Sequence, residues 1–259
     1  MNFFTPAELT ANSVRSCKAK AELSLSRMLP LAILAGMLIA FGGAVTNTAG
    51  YDLSSFSMVR LVSGLLFPLG LGMVILSGAE LFTGNCLMVM ALLERRITPA
   101  QLLRNWLTVY LGNAVGGAAV AALAVYSHTA SLFGDGLARS MVSIAESKAA
   151  LGFGDAFLRG VLCNFLVCLA VWMATASKRA EGKVIALFFP ILLFVLCGYE
   201  HCIANLYYLP AGAFAAAEYG METTLTLAGC LENLTAVTLG NLVGGAALGV
   251  GYRFAYLKE

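Results

Sequence analysis

Ser77-Gly-Ala-Glu-Leu-Phe-Thr-Gly-Asn85 and Cys197-Gly-Tyr-Glu-His-Cys-Ile-Ala-Asn205 lie 120 positions apart and share the pattern G-x-E-x4-N. A second pair follows in the same order, 128 apart: Asn105-Trp-Leu-Thr-Val-Tyr-Leu-Gly-Asn-Ala-Val-Gly-Gly117 and Asn233-Leu-Thr-Ala-Val-Thr-Leu-Gly-Asn-Leu-Val-Gly-Gly245, with N-x3-V-x-LGN-x-VGG in common. Two matches in one order mark an internal repeat. Each member of the first pair lies inside an apolar run too long for one straight bilayer crossing, Val62–Leu93 and Val184–Ala217. The first run holds Pro68, Gly64, Gly70, Gly72 and Glu80, and the second holds Pro190, Gly198, Glu200, His201 and Asn205. A carboxylate at membrane depth is costly unless paired or hydrated, and unwound backbone there must be buried in protein or line an aqueous cavity. Both runs therefore read as broken helices that face a pore.

Composition places the rest of the chain around these two breaks. Of 259 residues, 59% are hydrophobic and 12% charged, far from the quarter that is usual for a soluble domain, and the mean hydropathy is +0.83. The apolar residues fall in six stretches of mostly spanning length, which excludes a lipid-facing barrel of short alternating strands. These stretches are Leu29–Thr46, Val62–Leu93, Trp106–Tyr126, Ala156–Ala176, Val184–Ala217 and Thr226–Tyr252. A net charge of +2 gives no field suited to nucleic acid. Seven cysteines form no zinc-type or redox spacing and read as small packing residues, so no metal or cofactor is expected.

Each half carries three spans, an odd number, so the second half enters the membrane upside down relative to the first. Inverted repeats of this kind put the permeation site near the midplane, at the repeat interface. Most basic residues cluster near the N-terminus, around Arg95, Arg96 and Arg104, at Lys178, Arg179 and Lys183, and at Arg253 and Lys258. Only Arg60, Arg139, Lys148 and Arg159 fall on the other side. By the positive-inside rule both termini are cytoplasmic, in a multi-pass protein of the cell membrane. Residues 1–28 read as a cytoplasmic amphipathic segment whose helix opens at Thr5-Pro6, and 29–259 as one channel domain with repeats of about 29–126 and 156–252. The connection Ser127–Asp155 reads as a linker with room for a short surface helix.

Ionisable groups inside spans are functional candidates by default. Glu80, Glu200, Asn85 and Asn205 occupy matched positions, which suggests a structural job in satisfying backbone groups at the breaks. His201 has no such mate, since Leu81 stands in its place in the first half. A lone histidine in an apolar segment is more often a satisfied core residue than an active one. This one lies beside a helix break and a carboxylate, where imidazole could exchange a proton with a weak acid near neutral pH. His128 reads as a solvated loop residue, and the glycines of the LGN-x-VGG motif as helix-packing positions.

The strings at 78–85, 105–116, Cys163-Asn-Phe-Leu-Val-Cys-Leu-Ala-Val-Trp172, 198–205 and 237–245 together resemble the formate/nitrite transporter family, in family order from first span to last. The resemblance implies an all-α, aquaporin-like six-transmembrane-helix protomer with an inverted 3+3 repeat and two broken helices. It also implies a homopentamer with one pore per protomer that passes formate, nitrite or hydrosulfide, or their acids. His201 then corresponds to the central pore histidine and Thr83 to the threonine beside it. Asn164, Glu200 and Lys148 correspond to the polar set that supports the histidine and biases the vestibule. Phe67, Leu71, Leu81, Val167 and Phe194 correspond to the apolar narrowings, and Tyr199 stands where some members have Phe. On spacing alone Lys148 would be an ordinary loop lysine and the five apolar residues would be helix packing.

The function expected is thus a passive, pH-sensitive channel for small weak-acid anions, with a proton shared at His201. The Tyr-Tyr-Leu-Pro run at 207–210 leans toward formate- and hydrosulfide-type members. The alternative is a water or small-neutral-solute channel of the same plan, for which paired Asn-Pro-Ala motifs are expected; Gly-x-Glu stands at the breaks instead. A membrane-embedded enzyme would need a His/Cys/Asp cluster that two histidines 73 residues apart do not supply.

Overall fold

The computed structural model describes residues 2–257, so Lys258, one of the basic residues near the C-terminus, lies outside them. The helices are α1 (Pro6–Ala21), α2 (Leu25–Gly50), α3 (Phe56–Leu66), α4 (Pro68–Ser77), α5 (Phe82–Asn85), α6 (Val89–Leu93), α7 (Pro99–Tyr126), α8 (Gly136–Ala149), α9 (Phe153–Ala176), α10 (Ala180–Leu196), α11 (Cys202–Glu218) and α12 (Leu227–Tyr256). Short 3-10 turns occupy Cys86–Met88 and Thr129–Ser131. An isolated bridge joins Phe3 to Ser177.

Threonine followed by proline opens α1 and α7 in the same way. Thr5 and Thr98 each accept a hydrogen bond from the backbone three residues on, Glu8 and Gln101 accept one from the threonine N–H, and Pro6 and Pro99 stand where no N–H is needed. Among the described residues, five helical stretches are long and apolar enough to cross a membrane: Leu25–Gly50, Phe56–Ser77, Pro99–Tyr126, Phe153–Ala176 and Leu227–Tyr256. The run 184–217 instead folds as α10 and α11, of 17 residues each.

The two G-x-E stretches have the same backbone. Gly78 and Gly198 are left-handed, with φ of 74° and 73°, a conformation that glycine adopts without a Cβ penalty. After each glycine the next N–H turns back to close the preceding helix, Ala79 to Val74 O at 3.1 Å and Tyr199 to Phe194 O at 3.0 Å. Leu81 and His201 are then extended, and α5 and α11 begin immediately after them.

The side chains that satisfy the exposed backbone are not the glutamates. Asn113 donates to Ala32 O and Glu80 O and accepts from the Phe82 N–H at 3.0 Å; Asn241 donates to Gly160 O and Glu200 O and accepts from the Cys202 N–H at 2.9 Å. These are the asparagines of the two LGN motifs. Their bonds repeat bond for bond: Ala32 and Gly160 are 128 apart, like Asn113 and Asn241, while Glu80 and Glu200, and Phe82 and Cys202, keep the 120-residue offset of the first repeat. Glu80 and Glu200 do not touch backbone through their side chains; they pair with lysines instead.

The glycines beside these asparagines set the helix spacing. A Cβ built on Gly116 would lie 2.0 Å from Ile33 O of α2, and one on Gly244 would lie 2.1 Å from Val161 O of α9. Because both obstacles are helix backbone, relief requires the helices to separate. Gly251, on the same α12, has nothing within 4 Å of its Cβ position. Gly244→Ala is therefore expected to cost about 1–3 kcal/mol through overpacking, whereas Gly251→Ala should be neutral or slightly stabilising. Thermal unfolding of the two variants in detergent separates them; equal midpoints would remove the close-packing account.

Two elements are more embedded than their sequences suggest. Within the stretch 127–155, α8 buries Leu137, Ala138, Met141, Val142 and Ala145, so it is a packed helix and not a surface helix or a linker. α1 likewise buries Leu9, Thr10, Val14, Cys17 and Ala21. Five cysteines are buried in keeping with packing, but Cys197 is exposed and Cys230 only half-buried. Apolar side chains cover much of the outside, including Leu107, Leu111, Val115 and Leu123 along α7, as expected of a surface that meets lipid or a neighbouring subunit.

Candidate functional site

His201 is the N-cap residue of α11. Its Nδ1 accepts the Ala204 N–H at 3.1 Å, so that nitrogen is unprotonated and the hydrogen of the neutral ring resides on Nε2. Nε2 lies 3.0 Å from the Thr83 hydroxyl, in a contact 118 residues apart in sequence that joins the two breaks. With Nε2–H donating, the threonine O–H is left to donate elsewhere. Asn164 holds the threonine's own backbone: its amide donates to Thr83 O at 3.2 Å and to Asn241 O at 2.7 Å, and its Oδ1 is buried without a partner. Cys168 adds a thiol contact to Thr83 O at 3.2 Å. His201, Thr83 and Asn164 are all fully or almost fully buried.

Of the apolar candidates, Phe194 lies against this cluster. The Phe194 ring lies 6.0 Å from the imidazole and 5.7 Å, edge to face, from Phe67. Phe67, Leu71, Leu81, Val167 and Phe194 are all buried, while Tyr199 is half-buried and packs against the main core. Leu71 and Leu81 line a cavity of about 460 Å³ that reaches the α1 end, where Cys17, Lys20, Glu80 and Asn85 complete its wall.

Each break also carries a lysine–carboxylate pair. Lys148 donates to both Glu200 oxygens at 3.0 Å, and Asn205 donates to Glu200 Oε2 at 2.7 Å and to Asn233 Oδ1 at 2.8 Å. On the α1 side Lys20 donates to Glu80 Oε1 at 2.7 Å and to Asn85 Oδ1 at 3.0 Å, and Asn85 donates to Glu80 Oε2 and Asn105 Oδ1. Asn105 and Asn233 reach back to the carbonyls of Lys20 and Lys148. The correspondence thus extends beyond 29–126 and 156–252, because α1 takes the place in the first half that α8 takes in the second.

The structure therefore brings together His201, Thr83 and Asn164 in one cluster and Lys148 with Glu200 in another. Sequence reasoning misses Lys20 as a site residue. A signal for it exists: Lys20 precedes Lys148 by the same 128 positions that separate the LGN motifs. Its place in a polar segment outside the apolar runs hides that correspondence.

The chain is similar to known proteins over nearly its whole length. The family model described as Formate/nitrite transporter matches residues 7–255. A "Probable formate transporter" from Methanothermobacter thermautotrophicus is 37% identical over 273 residues, covering 96% of this chain and 97% of that protein. The "Formate channel FocA" of Haemophilus influenzae is 36% identical, covering 96% and 94%. Among solved structures, an "FNT family ion channel" superposes with a TM-score of 0.87 at 31% identity over 96% of this chain and 98% of the other. A "Pentameric formate channel with formate bound" superposes with a TM-score of 0.79 at 32% identity, over 90% and 98%. This chain, an all-helical multi-pass membrane protein, belongs to the formate/nitrite transporter family.

Proposed function

We propose that this protein is a passive, pH-sensitive channel for small monovalent weak-acid anions, formate foremost, with nitrite and hydrosulfide as further substrates. The observation that carries the reading is the buried His201–Thr83 contact between two helix breaks, with Phe194 against the imidazole, Phe67 against Phe194, and a lysine–carboxylate pair at each break. The protomer crosses the membrane six times as an inverted 3+3 repeat, with breaks at 78–81 and 198–201 and both termini in the cytoplasm. Five such protomers assemble, each with its own pore. The names of the relatives and the pentameric formate channel support the substrate and the assembly.

The physical steps follow from the residues. Lys20 and Lys148 raise the local concentration of anions at the two mouths. Beyond them the apolar walls disfavour a bare charge, so passage requires neutralisation. At the centre the positive end of α11, the Nε2–H and the Thr83 hydroxyl offer the anion a donor chain, and Asn164 Oδ1 is an acceptor for an acid O–H. Because Ala204 occupies Nδ1, loss of the Nε2 proton would leave an imidazolate; His201 therefore shares its hydrogen, while the proton carried by the acid is taken from bulk solution at the entry side and returned to solution when the acid ionises again at the exit side. Flux then rises as external pH falls toward the acid's pKa.

The test is formate uptake into proteoliposomes at two pH values, with His201→Phe beside the parent. Loss of a donor to a charged partner predicts roughly a tenfold or greater fall in flux, with the pH dependence flattened. If flux and pH dependence persist in the variant, proton sharing at His201 is wrong. Competition by nitrite and hydrosulfide in the same assay ranks the three anions.

A further inference from the structure

We propose that Tyr208 is a positioning residue that covers the Lys148 ammonium and makes the two mouths unequal in capturing anions. This rests on the reading of Lys148 as an anion-attracting group. The two lysine seats match residue for residue except in one respect. Lys20 divides its hydrogen bonds between Glu80 Oε1 and Asn85 Oδ1. Lys148 directs both of its bonds to Glu200, and Asn205 Oδ1, the counterpart of the Asn85 acceptor, is buried with no partner. A buried amide oxygen left empty beside an ammonium needs a reason.

Tyr208 supplies it. The Lys148 Nζ stands 5.2 Å from the centroid of the Tyr208 ring, within cation–π range. The ring is tethered, because the Tyr208 hydroxyl lies 2.8 Å from Thr46 Oγ1. Thr46 already donates its own hydrogen to Gly43 O at 2.7 Å, so the tyrosine must be the donor and its orientation is fixed. At the 120-residue offset that relates Glu80 to Glu200 and Asn85 to Asn205, the counterpart of Tyr208 is Met88, which has no π face. The side-chain exposures agree: 29% for Lys20 against 16% for Lys148. The ring thus holds the second ammonium away from Asn205 and occupies the face that an anion would approach, whereas the first ammonium is open to its cavity.

Formate entering from the α8 side must displace the ring contact; formate entering from the α1 side meets no such competitor. The experiment is initial-rate formate flux in vesicles of known orientation, with formate applied from the α8 side. Tyr208→Met, or Tyr208→Leu if that chain does not assemble, is expected to lower the half-saturation concentration about threefold while maximal flux changes little. The conservative Tyr208→Phe, which loses the tether to Thr46 but keeps the ring over the ammonium, is expected to lie closer to the parental value than to that of Tyr208→Met. A structure of Tyr208→Met should show the Lys148 Nζ within hydrogen-bond distance of Asn205 Oδ1. Lys148→Met separates the role of the lysine from that of the ring. If it leaves half-saturation from the α8 side unchanged, the anion-attracting reading fails and Tyr208's role with it. If Lys148→Met weakens capture but Tyr208→Met does not tighten it, or Tyr208→Phe behaves like Tyr208→Met, the assignment to the Tyr208 ring is overturned and the reading of Lys148 stands.

Discussion

Asn241→Leu is expected to leave little folded protein after extraction into detergent. Leucine is close enough to asparagine in size and shape that the main effect is one of hydrogen bonding. Asn241 is fully buried, and its amide makes three bonds to the second break: to Gly160 O, to Glu200 O and from the Cys202 N–H. The Gly160 carbonyl lies inside α9 and keeps a helical partner, but the Glu200 carbonyl and the Cys202 N–H lie where the helix is interrupted. Two orphaned backbone groups and one weakened carbonyl, at about 1–3 kcal/mol for each lost partner, amount to roughly 3–7 kcal/mol. That is comparable with the whole stability of a typical domain, about 5–15 kcal/mol. Asn113→Leu should act alike at the first break, where the same three bonds occur. Size-exclusion profiles and thermal unfolding in detergent test both; midpoints within about 2 °C of the parent would mean that these asparagines do not hold the breaks.

These two asparagines also mark the limit of what is legible in the sequence. The paired G-x-E stretches suffice to locate both interruptions, because a carboxylate, a proline and several glycines inside one apolar run are incompatible with a straight lipid-facing helix. They do not say which side chain satisfies which backbone group. That depends on where the LGN segments of α7 and α12 pass, and the geometry comes from glycines that admit helix backbone to within a Cβ's reach at Gly116 and Gly244. The glutamates draw attention by their charge, while the neutral amides that hold the backbone do not. For the same reason α1 and α8 read as polar surroundings: their buried faces are short and built from Ala, Val, Leu, Met, Cys and Thr between charged residues. Hydropathy ranks such helices low, yet they deliver Lys20 and Lys148 to the carboxylates. The His201–Thr83 meeting has no signature in local spacing at all; it follows from the family resemblance, and the fold places the two residues together across 118 positions.

Glu200→Leu is expected to destabilise the protein by about 3–5 kcal/mol, since it strands an ammonium among buried groups. The Lys148 side chain is 16% exposed and the Glu200 side chain 8%, so solvent offers limited compensation. Asn205 would lose an acceptor in the same substitution. The double variant Lys148→Met, Glu200→Leu should regain most of that loss, because an apolar pair of similar volume carries no desolvation penalty. An exposed pair gives the contrast: Lys18 and Glu22, at 51% and 55% side-chain exposure, should contribute at most about 0.5 kcal/mol, and Lys18→Met should be nearly silent. Thermal unfolding of the four proteins in detergent checks the ranking, and a double variant as unstable as Glu200→Leu would break it. The flux of the double variant then separates stability from function. If it folds like the parent but captures formate poorly from the α8 side, the ion pair is not needed for the fold. Its carboxylate then serves to keep a charged lysine among buried groups, where the lysine alone could not be held.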